Sequence, residues 1–284
     1  MSSNKEQIFI VGVSGAIGNG IVRNLGKQNI DTTAYVRDES KAKTLFKDEI
    51  DTGHLRVVVG TYVSVDVYTK AIEGHTRIFL LVVSDFKKPT LMSKIKETFA
   101  GKQGIIGYVH TTSEEKLWKL ADEQPDERSL VVLCPGVFMS NQLMADLQSV
   151  KHLNRLVSSG SPPSTFAWID TTDISDCSVV ILTEPIEKHD RCVYEMGAEL
   201  VTQEQRAAIF SKVLGKSITY EQQQAETLYK MFISFGMSHS YAYDLVSFPI
   251  EPINGHVTPQ MSILINRPLR TLKEWLQENA EAFQ

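Results

Sequence analysis

Apolar positions in this chain fall into two patterns, short unbroken runs and runs at helical spacing, and the two alternate. Ile8 to Val13 is an apolar run rich in β-branched residues and short enough for a buried strand. Ile17, Ile21, Val22 and Leu25 follow at helical spacing, and Gly26 sits where a helix ends. Thr32 to Val36 is a second strand-like run, finishing on Arg37. Leu55–Val59, Arg77–Val83 (RIFLLVV), 104–109 and Leu130–Leu133 continue the strands, the fourth apolar enough to be buried on both faces. Helical stretches lie between them, over Glu39–Phe46, Val67–Glu73, Leu91–Phe99 and around Glu114–Asp122. This rhythm predicts an α/β protein with a doubly wound parallel sheet. Past residue 138 the rhythm breaks. The pattern there predicts a helix over Asn141–Leu156, a strand at Phe166–Ile169 and a helix to Leu182. It adds a strand at Cys192–Met196 and further helices, one opened by Thr202 with Gln205 at capping-box spacing. The expected division is therefore residues 1–138 and a smaller α/β C-terminal lobe, 139–284, with 166–194 returning to the main sheet.

The first turn carries the chemistry. Gly12, Gly15 and Gly18 stand at the spacing G-x-x-G-x-x-G between a strand and a helix. In that context Gly12 permits the tight turn, Gly15 lets backbone amides approach a pyrophosphate, and Gly18 removes a side chain where helix meets sheet. The free N–H groups and dipole of the helix favour the phosphates. At the tip of the second strand an NAD-preferring site carries Asp or Glu for the ribose 2′-hydroxyl. Here the tip reads Tyr35-Val36-Arg37-Asp38, and Asp31 lies before the strand. Arg37 can fork around a 2′-phosphate, with Ser14 donating and Lys41 and Lys43 adding positive charge. The sequence therefore points to NADP(H), with Arg37 paired to Asp38 or Glu39 as the alternative. Tyr62 either stacks on an adenine or caps its strand.

Charge and composition narrow the partners. A net charge of −5 speaks against a nucleic-acid surface, which is basic. The N-terminus MSSNKEQ is polar and no apolar stretch reaches about eighteen residues, so neither a signal peptide nor a membrane span is expected. Cys134, Cys177 and Cys192 lack metal-ligand spacing and read as reduced thiols of a cytoplasmic protein. His152, His239 and His256 are isolated, and no metal site is expected.

With these residues in hand, the chain resembles the NmrA-like branch of the atypical short-chain dehydrogenases over nearly its full length. The likeness is carried by GVSGAIG, AYVRD, RIFLLVV, LCPGVFMSN, FAWIDTTDISD, VLGKSITY and NRPLRTLKEWL, in that order. The resemblance implies a Rossmann-like NADP-binding domain with the smaller lobe over the nicotinamide end. It assigns Gly12, Ser14, Gly15, Ala16, Ile17 and Gly18 to the pyrophosphate and Arg37 to the 2′-phosphate. Thr61 and Tyr62 fall by the adenine, and Val82, Val83 and Ser84 along the ribose. Thr111, Thr112, Pro135, Gly136, Val137 and Phe138 flank the nicotinamide. Three positions depart from the pattern: Thr61 replaces a common Asp, Cys134 replaces a common Arg before Pro-Gly, and the stretch from Ser113 to Leu130 is short.

Ordinary members of the wider class use a Tyr with a Lys four residues later, the cation lowering the phenol's pKa. None of the nine tyrosines here has Lys at that offset. By resemblance, Lys119 is the matching lysine for the helix after the fifth strand, with Lys116 second; a solvated helix lysine is the alternative. Met231, Phe232, Phe235 and Met237 either line a pocket for a flat apolar substrate or belong to a helical core. Two functions fit. One is an NADPH-dependent reductase of an activated small molecule, such as a quinone, a dye-type cation or an iminium compound. The other is an NADP(H)-sensing regulator that acts through a protein partner without turnover.

Overall fold

The computed structural model describes residues 6–61, 63–81, 105–247 and 256–284. Tyr62, Val82, Val83, Ser84 and the helix expected over Leu91–Phe99 lie outside these residues. The chain forms two compact units. One comprises Met1–Val82, Thr171–Asp190 and Met261–Arg267; the other comprises Val83–Asp170, Arg191–Gln260 and Pro268–Gln284. Residue 138 thus falls inside the second unit.

The first unit is built on a parallel sheet of β1 (Gln7–Val11), β2 (Asp31–Val36), β3 (Leu55–Val59) and β4 (Arg77–Leu80), in the order β3-β2-β1-β4. Ile8 pairs with Thr32 on one side and Arg77 on the other, so β1 is central, and Ile8, Phe9 and Ile10 are fully buried. Among the described residues β4 lies at the sheet edge with Ile78 and Leu80 exposed, not buried on both faces as its apolar run suggested. Between β1 and β2 runs α1 (Ala16–Lys27), which buries Ile17, Ile21, Val22 and Leu25 along one face. It passes through Gly26, and Asn29 takes the left-handed conformation at φ 55° that releases the chain.

A second helix, Thr171–Thr183, packs along α1. Ser175 Oγ donates to the Ile17 carbonyl at 2.9 Å, and Asn24 Nδ2 donates to Asp176 Oδ1 at 2.7 Å. Gly20 makes the approach feasible, since a Cβ there would lie 2.5 Å from Ser175 Oγ. Of the stretch 166–194, this helix returns to the first unit. Its strands pair within the second unit: β8 (Thr165–Ile169) with β6 (Val137–Phe138) and β10 (Glu199–Thr202), and β9 (Val193–Met196) with β5 (Val132–Pro135).

The second unit also holds a parallel pair, β7 (Arg155–Ser158) with β11 (Thr219–Gln222). Its core gathers Met139, Leu156, Phe166, Trp168, Phe210, Trp275 and Phe283. Inside it the buried Arg206 pairs with Asp146, donates to Gln142 at 3.1 Å and to Gln203 at 2.9 Å, and lies 5.2 Å over the Trp168 ring. A buried guanidinium is tolerable only with its donors satisfied in this way. Capping boxes open the helix Gln203–Leu214 at Thr202 and the helix Leu272–Asn279 at Thr271.

Two predicted elements are corrected. The helix expected over Asn141–Leu156 is broken into Gln142–Ala145 and Leu147–Leu153, and Leu156 lies in β7. No strand forms over 105–109; a single helix runs from Ile105 to Asp122. The β-branched run imitates a strand, but only Gly107 interrupts it before the strong helix formers from Glu114. Extending a helix is much easier than nucleating one.

Candidate nucleotide-binding site

Three chain segments of the first unit meet at the carboxyl ends of β1, β2 and β3. The first is the glycine turn. Gly12 sits at φ +91°, a conformation that L side chains rarely adopt. Its carbonyl accepts the Gly15 N–H at 3.1 Å, which closes the turn. Gly15, at φ −84° and ψ 165°, is the N-cap of α1 and offers no side-chain cap, and the first turn of the helix holds no acidic residue. The leading N–H groups are therefore not neutralised locally, and Ser14, Gly15 and Ala16 are exposed. A Cβ on Gly18 would lie 2.7 Å from Val13 Cα, so the helix could not sit this close with any other residue. Ile17 is buried and anchors the helix start from below. An exposed helix N-terminus with free donors and no competing carboxylate is a cradle for phosphate oxygens.

The second segment is the tip of β2. Arg37 is exposed, and no hydrogen bond or ion pair holds its guanidinium among the described residues. Its neighbours are engaged elsewhere. The Asp38 carboxylate caps the helix α2 (Glu39–Leu45) by accepting the Lys41 N–H at 2.9 Å, and Glu39 pairs with Lys43 at 2.7 Å. The Arg37–Asp38 and Arg37–Glu39 pairs allowed by the sequence do not form, and Lys43 is spent on Glu39. Arg37, Lys41, Ser14 and Val13 line a cavity of about 350 Å³ floored by Phe46. Two cations, a hydroxyl and Asp38, whose carboxylate is held at the helix cap, border one open space there.

The third segment is the tip of β3. Thr61 is exposed, but its hydroxyl bonds Ser64 Oγ at 2.8 Å, a local turn at the start of the helix Val65–Ile72. Beneath it the Tyr35 hydroxyl donates to the Thr61 carbonyl at 3.0 Å. Tyr35 and Gly60 also line a small cleft with Val11, Gly12, Ser14 and Arg37. Sequence reasoning passed over both residues. Tyr35 reads as an ordinary core position of β2, and Gly60 as the end of a strand.

The remaining assigned residues lie in the second unit. Thr111 is exposed and Thr112 half-buried, both on the helix Ile105–Asp122 and not at a strand end. Lys119 is exposed on the same helix, and no side-chain partner restrains its ammonium among the described residues. Pro135 ends β5, and the Gly136 N–H donates to the Met196 carbonyl at 2.9 Å. A Cβ on Gly136 would lie 3.1 Å from the Ala167 carbonyl carbon, so glycine lets the chain pass tightly into Val137 and Phe138 of β6. Burial, helped by Glu195 and Glu114, pushes the Cys134 thiol up, and it stays protonated. Among the described residues no group of His, Cys, Asp or Glu is placed to hold a metal ion, and no helix is long and apolar enough to cross a membrane.

A central parallel strand, a glycine turn feeding an uncapped helix and an arginine at the neighbouring strand tip, unpaired among the described residues, define a Rossmann-like NAD(P)H-binding protein. A family model described as NAD(P)H-binding matches residues 12–117, and one described as the NmrA-like family matches residues 129–276. The chain belongs to the NmrA-like family. An NAD(P)H azoreductase of Xenophilus azovorans is 24% identical over 291 aligned residues, covering 97% of this chain and 99% of the relative. The fold is shared with an NADPH-dependent quinone oxidoreductase of Escherichia coli solved with NADPH, at a TM-score of 0.76 and 20% identity, covering 96% and 99% of the two chains. It is shared also with NmrA, a negative transcriptional regulator solved with NADP, at a TM-score of 0.69 and 14% identity over 97% and 95%.

Proposed function

We propose that the protein is an NADPH-dependent reductase of small, already electrophilic molecules. The observation that carries the nucleotide preference is the Arg37 guanidinium, unpaired among the described residues, which lines an open cavity together with Lys41 and Ser14. A carboxylate at that strand tip would suit a ribose 2′-hydroxyl; here the acids that follow it, Asp38 and Glu39, are turned to a helix cap and to Lys43. The exposed amides of Ser14 and Ala16 hold the pyrophosphate, with Gly15 leaving room for its approach and Ile17 and Gly18 fixing the helix behind them. By family likeness, Thr111, Thr112 and Pro135 to Phe138 flank the nicotinamide end.

When bound, NADPH supplies the hydride, and the protein supplies orientation and exclusion of water. No tyrosine has Lys four residues on to help it protonate a ketone oxygen, and Lys119 is exposed with no restraining side-chain partner among the described residues. Such a site suits acceptors that take hydride without a strong protein acid: quinones, extended cations, azo and iminium carbon–nitrogen or nitrogen–nitrogen centres. The names of the Xenophilus azovorans azoreductase and the Escherichia coli quinone oxidoreductase, both reductases of such acceptors, support this class. A regulator reading is favoured by a different observation, the fold shared with NmrA, a negative transcriptional regulator. The deciding experiment is steady consumption of NADPH by purified protein with a quinone or an azo compound, proportional to protein and lost in Gly15→Val. Binding of NADPH without turnover on any acceptor of this class would favour the regulator.

A further inference from the structure

We propose that Tyr35 is a positioning residue for the dinucleotide: its hydroxyl holds the turn after β3 in place and so sets affinity for the adenosine half that NADPH and NADH share. This rests on the dinucleotide-binding reading of the first unit, and not on the preference between the two nucleotides.

Tyr35 is 5% exposed and packs in one cluster with Phe9, Val11 and Ala71. Its ring centroid lies 5.8 Å from Phe9 and 5.4 Å from Tyr68, which meets it edge-on. Packed in this way, the phenol directs its hydroxyl toward the tip of β3. There its hydroxyl donates to the Thr61 carbonyl at 3.0 Å. The same carbonyl accepts the Ser64 N–H at 3.0 Å, while the Thr61 N–H donates to Ser64 Oγ at 3.2 Å. Ser64 thus ties the turn to itself, and Tyr35 ties it to the sheet.

Gly60 is the other half of the device. It lies directly on the phenol: a Cβ there would be 2.6 Å from Tyr35 Cζ. Its N–H donates to the Val36 carbonyl at 2.8 Å, so the strand tip rests on the ring with no slack. The ring and Gly60 border the cleft that Gly12, Ser14 and Arg37 also line. Any shift of the β3 tip therefore changes the wall of the space between the glycine turn and the strand tips. Burial raises the Tyr35 pKa, so the hydroxyl keeps its proton and its bond at every pH where the protein would work.

The test titrates NADPH and NADH against wild type, Tyr35→Phe, Gly60→Ala and Arg37→Ala, with melting temperature read alongside. Tyr35→Phe keeps the packing and removes the bond. It is expected to weaken both nucleotides by one common factor, about two- to tenfold, the scale of a single neutral hydrogen bond. Gly60→Ala, which pushes the tip outward with the hydroxyl still present, is expected to weaken both equally as well. Arg37→Ala supplies the contrast, because it changes the ratio between the nucleotides. Unchanged affinity in folded Tyr35→Phe, or a loss confined to NADPH, overturns the assignment; should Tyr35→Phe fail to fold, Gly60→Ala decides by the same criterion. A wild-type protein that binds neither nucleotide overturns the dinucleotide reading and this assignment together. Tight wild-type binding with unaffected variants overturns this assignment alone.

Discussion

At the scale of single residues, the chemistry is concentrated in groups left deliberately unused by the fold. Arg37 has acidic neighbours in sequence on its C-terminal side, yet Asp38 caps a helix and Glu39 takes Lys43. Losing a charge-assisted contact to a 2′-phosphate costs about 1.5–3 kcal/mol. Arg37→Ala is therefore expected to weaken NADPH by about one to two orders of magnitude and to leave NADH nearly untouched, as paired titrations would read. Equal losses for both would remove the basis for the NADPH preference. Gly15 offers a cleaner substitution than its neighbours: an added Cβ meets nothing closer than the Gly12 carbonyl oxygen at 3.4 Å, whereas Gly12 and Gly18 are conformationally or sterically required. Gly15→Val is expected to fold with a near-normal melting curve and to lose nucleotide binding, because the branched side chain fills the cradle. A thiol gives an independent check on burial. Burial, with Asp173 and Asp176 nearby, pushes Cys177 up to about 12. Since the thiolate is the reactive form, native protein at pH 8 should resist alkylation there until it is unfolded. Arg37 was legible in the sequence because its meaning follows from its place at a strand tip. Tyr35 was not, because a hydroxyl's partner across two strands leaves no mark in a pattern of apolar positions.

At the scale of elements, local signals were readable wherever one element decided its own fate. The run Ile8–Val13, the glycine turn and the helical spacing from Ile17 to Leu25 each act within a few residues, and β1, α1, β2 and β3 form where they point. The Thr202–Gln205 capping box is likewise local, and both of its bonds are made. Where tertiary partners decide, the pattern misled. Residues 105–109 are β-branched enough for a strand yet extend the helix to Asp122, and β7, β10 and β11 are four-residue strands too short to show a period. The packing of α1 against Thr171–Thr183 shows the same limit in reverse, since Gly20 carries no sign of what it meets. An exposed helical Gly→Ala change normally gains up to about 1 kcal/mol. Here the added methyl would stand 2.5 Å from Ser175 Oγ and 2.8 Å from its Cβ, so the sign should invert. Gly20→Ala is expected to be destabilising in denaturant unfolding, and Ser175→Gly in the same chain should restore part of the loss. A stabilised single variant would mean that the two helices are not held at this distance.

At the scale of the whole molecule, the question is whether the cradle serves turnover or sensing, and the lack of a Lys four residues after any tyrosine makes the two separable. Reduction of a simple aliphatic ketone leaves an alkoxide that must be protonated as it forms, and no tyrosine of the chain has the Lys four residues on that would activate it for this. A quinone, a triphenylmethane cation or an iminium salt accepts hydride at a centre already short of electrons, and solvent can deliver any proton afterwards. A reductase of the proposed kind should therefore consume NADPH with members of the second group and not with aliphatic ketones. Lys119 divides the outcomes further. As an exposed ammonium with no restraining side-chain partner among the described residues, it has no built orientation. Lys119→Ala should leave turnover within about twofold if that lysine is only solvated surface. A drop of the 10²-fold or more that general acid–base groups contribute would instead make it a working group. The regulator predicts a third pattern, tight NADP(H) binding with no consumption across the panel and a change in partner binding or assembly with the ratio of reduced to oxidised nucleotide. Turnover that follows acceptor electrophilicity, survives Lys119→Ala and vanishes in Gly15→Val fits one arrangement alone: a protein that holds the nucleotide through its backbone amides and leaves the proton to solvent.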